Sequence, residues 1–369
     1  MKKLKEIKRK KAYYKYKFNK RFYREFGRKP FILLTKAKRK KHKSIRKKAK
    51  LKMKREPIVI TLPSVLSLDN EYRKEFLEKM EEINKYLPSS KYKCSIDHSY
   101  IERIDPEALI VLAADIKRCV AKNKFLRFNH KYAPKNEQVM ITLNSIGYWE
   151  HFNINKKELS TDKKRSYLKI LHDTQADNMH VVDLREFFTK KLEFLNDVDA
   201  EEMFDDAISE AIANSVEHAY IKKQDRVIID KAWWLSGSYD TDTNELFFIC
   251  YDQGIGVKEA LSHLDNRLVK KWVHDLQVLF KSDSDVIETL VTKDLPKYKN
   301  TDRGHGFKHF IKYIENYTHG SLNIYSKKGV CKFVKENDSI VTHKENYHKP
   351  LNGTLIVWKI KFDRSAAKC

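Results

Sequence analysis

The chain has 369 residues, 41% of them hydrophobic, and carries 75 lysine and arginine residues against 50 acidic ones, so it can form two or three domains with buried cores. It lacks a run of about 18 apolar residues, which a transmembrane helix would need, and its basic N-terminus lacks the apolar stretch of a signal peptide. The five cysteines are too far apart in sequence for a zinc ribbon or a redox pair, so we expect a reduced, cytoplasmic protein.

The positive charge is concentrated at the N-terminus. Residues 1–56 contain 27 basic and three acidic residues, whereas the other 313 residues contain 48 basic and 47 acidic ones. Aromatic residues are interleaved with the basic ones at Tyr13, Tyr14, Tyr16, Phe18, Phe22 and Tyr23. Because basic side chains neutralise phosphates and aromatic rings stack on unpaired bases, we predict a basic arm that binds nucleic acid, either RNA or DNA. A solvated tail is the alternative, and anionic lipid is less favoured because no strong apolar anchor accompanies the charge.

Residues 57–155 alternate between predicted strands and helices. The predicted elements are a strand at 57–63, a helix at Asn70–Tyr86, strands at Lys93–Ile96 and Phe125–Asn129, and a short helix within 140–154. Between the last two strands, Asp105 is a suitable cap and Pro106 a suitable first residue for a helix, whose apolar face repeats every three or four residues.

This element order, with the capped helix at IDPEAL, resembles a STAS-like domain over Pro57–Ile154. Such domains are common in regulators of bacterial anti-sigma factor kinases, so the resemblance implies a protein partner. Pro106 and Glu107 stand where many of these domains have a phosphorylatable serine, which makes regulation at that point doubtful. A generic α/β packing domain is the alternative.

The chain after a polar linker, Asn155–Arg165, is predicted to form the third region, 156–369. Extended segments at Tyr167–His172 and Met179–Asp183 and a helix at Leu184–Leu195 lead to a longer helix, Phe204–Tyr220. In that helix an apolar stripe is formed by Ile208, Ile212, Val216 and Ala219.

Polar residues of the long helix lie on a second face, at Glu210, Asn214 and Glu217. Asparagine is unfavourable in a helix interior, so the presence of Asn214 in this helix calls for an explanation. It is either exposed or locally bonded, or its amide and the Glu210 carboxylate point together at a metal-bound phosphate.

A strand at Arg226–Leu235 and a turn around Gly237–Asn244 precede the strand ELFFICY, which ends in Asp252-Gln253-Gly254-Ile255-Gly256. A carboxylate at a strand end can accept a hydrogen bond from an amine, and glycines let the backbone approach a ligand closely. An ordinary turn is the alternative.

The last region contains a glycine-rich helix start. Gly304-His305-Gly306 precedes a predicted helix, Phe307–Tyr317, and backbone amides at such a start can bind an anion. Lys293 and Arg303 add positive charge nearby, and Gly353-Thr354 opens a final strand. The alternative is a flexible loop followed by a helix cap.

These four motifs, in this order, resemble the GHKL (Bergerat-fold) ATPases over about Ser166–Phe362. That family includes histidine kinases, gyrase-like ATPases and anti-sigma factor serine kinases. SEAIANSVEHAY is most similar to the anti-sigma type, with Ser215 where those domains have alanine. The resemblance implies an α/β (α+β) sandwich with a mixed sheet covered on one face by helices, and it implies ATP and Mg²⁺ as ligands.

The resemblance also implies a role for each motif residue. Asn214 would coordinate Mg²⁺, Glu210 would act as general base, and Asp252 would bind the adenine amine with support from Thr354. The remaining positions would shape the adenine pocket (Gly254, Gly256), add charge (Lys293, Arg303) and form a lid over the phosphates (Gly304, His305, Gly306, Phe307). His305 departs from the family, since many relatives have an aliphatic or basic residue there.

We therefore expect a Mg-ATP-binding protein that hydrolyses ATP or transfers its phosphate, as a bacterial regulatory or defence component. One alternative is a serine kinase acting on a partner protein. Another is a slow-turnover ATP sensor that switches a nucleic-acid complex, in which nucleotide drives lid closure or formation of a homodimer.

Overall fold

The computed structural model describes residues 55–122, 132–152, 164–175, 198–220, 231–264, 267–278, 281–293, 306–315, 319–337 and 339–361, with Val182, Glu186, Phe187 and Tyr317. Pro57–Cys369 forms one compact unit. The basic residues 1–54 lie outside the described residues.

Eleven strands and eight helices are described. The strands are β1 Glu56–Thr61, β2 Val65–Leu66, β3 Tyr92–Asp97, β4 Arg103–Ile104, β5 Arg165–Asp173, β6 Trp233–Asp240, β7 Glu245–Asp252, β8 His319–Ser326, β9 Gly329–Glu336, β10 Ser339–Asn346 and β11 Thr354–Lys361. The helices are α1 Asn70–Tyr86, α2 Pro106–Lys122, α3 Glu137–Ser145, α4 Val198–Glu217, α5 Val257–Ser262, α6 Arg267–Asp275, α7 Asp283–Thr292 and α8 Gly306–Glu315. Among the described residues, no helix has the length and apolar character needed to cross a membrane.

The largest sheet has seven strands in the order β10-β9-β8-β11-β7-β6-β5. Every pair in it is antiparallel, so the expected mixed sheet is wrong. Neighbouring strands such as β6 and β7, or β8 and β9, are joined by short turns, and short turns join antiparallel strands. The last strand, β11, inserts between β7 and β8, which places Thr354 opposite Asp252.

Both faces of this sheet are buried, because side chains alternate between two core clusters along the central strands. The first face packs against α4, α7 and α8, and its side chains include Trp233, Leu235, Leu246, Phe248, Cys250, Ile324, Ile356 and Trp358. The second face contributes Trp234, Phe247, Ile249, Tyr251, Tyr325, Leu355 and Val357 to another cluster. The helices α4, α7 and α8 of the predicted third region thus pack on one face, as expected, and the other face is covered by a different part of the chain.

The second face is covered by the N-terminal layer, defined as residues 57–122 and 132–152. Its helices α1 and α2 contribute buried residues such as Phe76 and Leu109 to the same cluster as Val357. The layer also contains two small sheets, β1 with β3 and the parallel pair β2 with β4. The regions predicted as 57–155 and 156–369 thus share one hydrophobic core. The structure is a mixed assembly of helices and sheets, as the α+β class requires.

Several predicted elements agree with the structure. The helix at Asn70–Tyr86 and the strand ending at Asp252 have the predicted bounds, and α2 begins at Pro106. The first half of the predicted strand at Arg226–Leu235, residues 226–230, lies outside the described residues. Strand β6 runs from Trp233 to Asp240, so the turn predicted around Gly237–Asn244 is confined to residues 241–244. Three predictions lie wholly or almost wholly outside the described residues: Phe125–Asn129, Met179–Asp183 and Leu184–Leu195.

Candidate functional site

The carboxylate predicted to carry the site, Asp252, is the last residue of β7 and is 6% exposed. Its Oδ1 accepts a hydrogen bond from the Gly254 amide at 2.7 Å. Burial raises the pKa of Asp252 to about 7, and the backbone amides of Gly254 and Thr354 and the nearby Lys327 oppose that rise. Asp252 is thus a buried acceptor whose charge changes close to neutral pH.

Two glycines allow three distant segments to touch at this corner. Gly353 has a φ of +82°, and a Cβ there would lie 1.9 Å from the carbonyl oxygen of Asp252. A Cβ at Gly254 would lie 2.3 Å from the carbonyl oxygen of Ala219, just beyond the end of α4. The Ile255 amide donates to that same oxygen at 2.9 Å. The motifs at 252–256 and 353–354 and the end of the long helix therefore meet backbone to backbone.

The polar residues predicted on α4 also lie together. The Asn214 amide Nδ2 donates to Glu210 Oε1 at 3.2 Å, and both side chains are half-buried. Burial raises the pKa of Glu210. The charge interaction with His309 on α8 opposes this rise most strongly, and the hydrogen bond from Asn214 opposes it next. His309 Nδ1 also lies 3.4 Å from Asp206 Oδ2. Asn214 is therefore locally bonded, which is one of the two explanations expected for an asparagine inside this helix. Its Oδ1 is not used in that bond.

The apolar stripe of the long helix is confirmed, because Ile208, Ile212 and Ala219 are buried and Val216 packs against the same core. Glu217, by contrast, is exposed. The predicted polar face therefore divides into an inward pair, Glu210 and Asn214, and a solvent-exposed carboxylate.

The predicted lid is only partly described. Arg303, Gly304 and His305 lie outside the described residues, and Gly306 is described only as the start of α8. Phe307 is half-buried and packs edge-on against Phe310, with their ring centroids 5.2 Å apart.

Lys293 is exposed and is the residue that follows α7. Within the described residues, the contacts of Lys293 and Phe307 do not connect them to Asp252. The structure thus unites the motifs of β7, β11 and the end of α4, and it leaves the lid assignment as a prediction.

Three residues at the corner escaped the sequence analysis. Lys327, in the turn between β8 and β9, donates from Nζ to the carbonyl oxygen of Gly254 at 3.2 Å. Ser326 Oγ accepts from the Val257 amide at 2.9 Å and lies 3.4 Å from Thr354 Oγ1. The Tyr220 hydroxyl accepts from the Gln253 amide at 2.9 Å. Tyr220 is the last residue of the segment SEAIANSVEHAY, which the sequence analysis singled out. Strand β8, which ends at Ser326, and the turn that contains Lys327 were not predicted.

Mg²⁺ would have few protein ligands here. Among the described residues, no group of three or more histidine, cysteine, aspartate or glutamate side chains could hold a metal ion. Mg²⁺ is commonly held by one or two side chains together with substrate phosphates and water. Asn214 Oδ1 is an oxygen ligand of the right type.

A cavity of about 360 Å³ lies elsewhere, between the N-terminal layer and the second face of the sheet. It is lined by Glu107, Glu245 and Lys359, and Glu107 forms an ion pair with Lys359 at 3.0 Å. Glu245 begins the strand that Asp252 ends, so this cavity is at the opposite end of β7 and gives no support to the predicted site.

No protein-family model matches this chain, and comparison with curated proteins finds no match. The assignment of a function therefore depends on the geometry of the corner itself.

Proposed function

We propose that Pro57–Cys369 binds Mg-ATP at the corner formed by Asp252, Gly254, Gly353-Thr354 and the end of α4, and that it hydrolyses ATP or transfers its phosphate. One observation carries this proposal. Three segments far apart in sequence, which resemble three of the four GHKL motifs, meet in backbone contact around one buried carboxylate. A chance resemblance of three short strings would not require them to converge in space.

The environment of Asp252 supports its assignment to the end of the site that would bind the adenine base. A carboxylate held by two backbone amides keeps a fixed orientation, and its remaining lone pairs can accept the adenine amine. Glycines at 254 and 353 allow the backbone segments around Asp252 to pack against one another, because a Cβ at either position would overlap a carbonyl oxygen. Thr354 would support the base through its hydroxyl, which lies 3.4 Å from that of Ser326.

Glu210 and Asn214 on α4 are assigned to the end of the site that would bind the phosphates. Asn214 would hold Mg²⁺ through Oδ1, and the bound ion would neutralise phosphate charge. Glu210 would accept the proton of the attacking water or hydroxyl. Burial raises the pKa of Glu210, and general bases act best when the pKa lies nearer the operating pH. This feature favours turnover over passive sensing.

Nucleotide binding is tested by calorimetry of the whole protein with Mg-ATP. Asp252→Ala should abolish binding, because the adenine amine loses its acceptor. Asp242→Ala is the matched control, since Asp242 lies exposed in the turn at the other end of β7. Unchanged ATP affinity in Asp252→Ala would show that the pocket is assigned wrongly.

The type of reaction is tested separately. Release of inorganic phosphate from the isolated protein would support hydrolysis. Labelled phosphate appearing on a copurifying protein would support the serine-kinase alternative. Tight binding without either product would favour the ATP sensor.

A further inference from the structure

The loop after β7 is attached to the N-terminal layer by a side-chain bond. Gln253 Nε2 donates to Asp115 Oδ1 at 2.5 Å. Gln253 lies between Asp252 and Gly254 in the loop, defined as Gln253–Gly256, whereas Asp115 belongs to α2. The layer that covers the back of the sheet thus contacts the loop of the proposed nucleotide site directly.

Asp115 is a fixed attachment point. It is 1% exposed, and its other oxygen, Oδ2, accepts from Asn84 Nδ2 on α1 at 2.7 Å. Arg118 Nη2 donates to Asp115 Oδ1 at 2.9 Å and to Asn84 Oδ1 at 2.8 Å. Burial raises the pKa of Asp115, and the charge of Arg118 opposes that rise. Because bonds from the charged Arg118 guanidinium are stronger than neutral ones, this network of α1 and α2 holds the Asp115 side chain rigidly.

The other anchors of the loop involve its backbone. Tyr220 holds the amide of Gln253, Ala219 holds the amide of Ile255, and Lys327 holds the carbonyl oxygen of Gly254. These bonds tie the loop to the end of α4 and to the β8–β9 turn. The Gln253 side chain adds a tie from the opposite side of the sheet. The loop is therefore held from both sides, and Asp252 lies at its base.

We propose that Asp115 is a positioning residue for the nucleotide loop. Through Gln253 it holds the loop in the conformation that presents Asp252, so nucleotide affinity depends on the placement of α2. This proposal rests on the proposed function, because it assigns a role in nucleotide binding to the loop. By thermodynamic reciprocity, nucleotide bound at the loop also stabilises the contact with α2.

The first test needs no nucleotide. Hydrogen exchange of the loop amides is compared in the wild type, Gln253→Ala and Asp115→Ala, each of which removes one partner of the bond, with thermal unfolding as a check that each variant folds. Exchange should rise about tenfold in both variants, as loss of one hydrogen bond to a charged group predicts. Asp97→Ala is the matched control, since Asp97 is a buried carboxylate of the same layer whose Oδ1 accepts from the Ser99 amide. Unchanged loop exchange in Gln253→Ala would overturn the proposal.

The second test measures ATP affinity and turnover. Both variants should raise the dissociation constant for ATP roughly tenfold and raise KM with little change in kcat, because the reacting groups on α4 are untouched. The double variant should be no worse than either single variant, since both remove the same bond. A second double variant, Asp115→Asn combined with Gln253→Glu, exchanges the donor and the acceptor of this bond. It should recover part of the ATP affinity that the single variants lose. A general loss of packing would show no such rescue.

The two proposals fail in different ways. If the wild type binds no ATP, the proposed function fails, and loop exchange still decides whether Asp115 positions the loop. If the wild type binds ATP and the variants show faster loop exchange with unchanged affinity, Asp115 has no role in nucleotide binding and the proposal is overturned.

Discussion

Asp252 is a carboxylate on which burial and backbone donors act in opposite directions. Burial is the larger effect and raises its pKa to about 7, so the acid is largely neutral below that pH and ionised above it. The ionised form is the better acceptor for the adenine amine. We therefore expect nucleotide affinity to rise between about pH 6 and about pH 8, with a limiting slope of about tenfold per pH unit on the acidic side.

The pH prediction is checked by calorimetry with ATP across that range. Phosphate groups of the nucleotide also titrate there, so Asp252→Asn provides the reference, because its amide does not ionise. The wild type should show a steeper dependence than this variant. Parallel pH profiles for the two proteins would contradict the assignment of Asp252 as the titrating acceptor.

Glu210 is predicted to act in turnover more than in binding. In Glu210→Gln, the new side chain can still accept the hydrogen bond from Asn214. It cannot accept the proton of an attacking hydroxyl. ATP affinity should be nearly unchanged, whereas phosphate release should fall about 10²–10⁴-fold. Glu217→Gln, on the exposed face of the same helix, is the control and should retain activity. Equal turnover in the wild type and Glu210→Gln would remove Glu210 from the mechanism.

Gly353 is predicted to be essential for the corner itself. A strained left-handed backbone costs about 1–3 kcal/mol for a residue with a side chain, and here a Cβ would also overlap the carbonyl oxygen of Asp252. Gly353→Ala should therefore lower the free energy of unfolding by at least that amount, as measured by urea denaturation. Gly320→Ala should have a smaller effect, because its Cβ would meet the Ile314 side chain at 3.1 Å. Similar losses in the two variants would contradict the close packing at Gly353.

At the scale of elements, the parts that sequence could predict are those with one strong pattern. Strand β7 is a continuous apolar run because it is central and buried on both faces. Helix α2 has a cap, a proline and an apolar repeat that agree with one another. The segments at 252–256 and 353–354 were singled out for the same reason, since glycines and a terminal carboxylate mark the ends of such elements.

The elements that were missed lack such a pattern. Strand β6 continues through Ser236 and Ser238, which are small polar residues typical of turns, yet both are buried and Ser236 Oγ donates to the Leu168 carbonyl oxygen. Strand β10 is an edge strand whose residues are all either exposed or half-buried. Strands β8 to β10 were not predicted, so the position of Lys327 beside Gly254 was not predictable either. Such contacts depend on pairing between distant strands.

At the scale of the molecule, the N-terminal layer is predicted to be required for the sheet to fold. A fragment beginning at Lys164 would expose the second face, including Trp234, Phe247, Ile249 and Tyr251. Each such side chain contributes about 1.5–3 kcal/mol when buried, so their loss together is comparable to the whole stability of a domain, about 5–15 kcal/mol. The fragment should aggregate or lack a cooperative unfolding transition.

The control for that experiment is a fragment beginning at Pro57, which should unfold cooperatively because Pro57–Cys369 is one compact unit. Thermal unfolding and size-exclusion chromatography compare the two fragments. Equal unfolding midpoints would show that residues 164–369 form an independent domain.

The last prediction concerns residues 1–56, which carry +24 of the +25 net charge and have aromatic residues between the basic ones. We propose that they bind nucleic acid and that nucleotide at the corner controls when this complex forms. Affinity should fall steeply with salt, with a log–log slope of roughly −0.7 to −0.9 per phosphate neutralised. Stacking requires exposed bases, so single strands or structured RNA should be preferred over plain duplex.

The fragment beginning at Pro57 is again the informative comparison, because its remaining charge is almost balanced. It should retain ATP affinity and lose most nucleic-acid binding in filter assays with labelled RNA and DNA across a salt series. If an acidic protein is the true partner of the arm, full-length protein will bind nucleic acid no better than the fragment does. Equal binding by the two proteins at low salt, or no measurable binding by either, therefore contradicts the assignment of the arm.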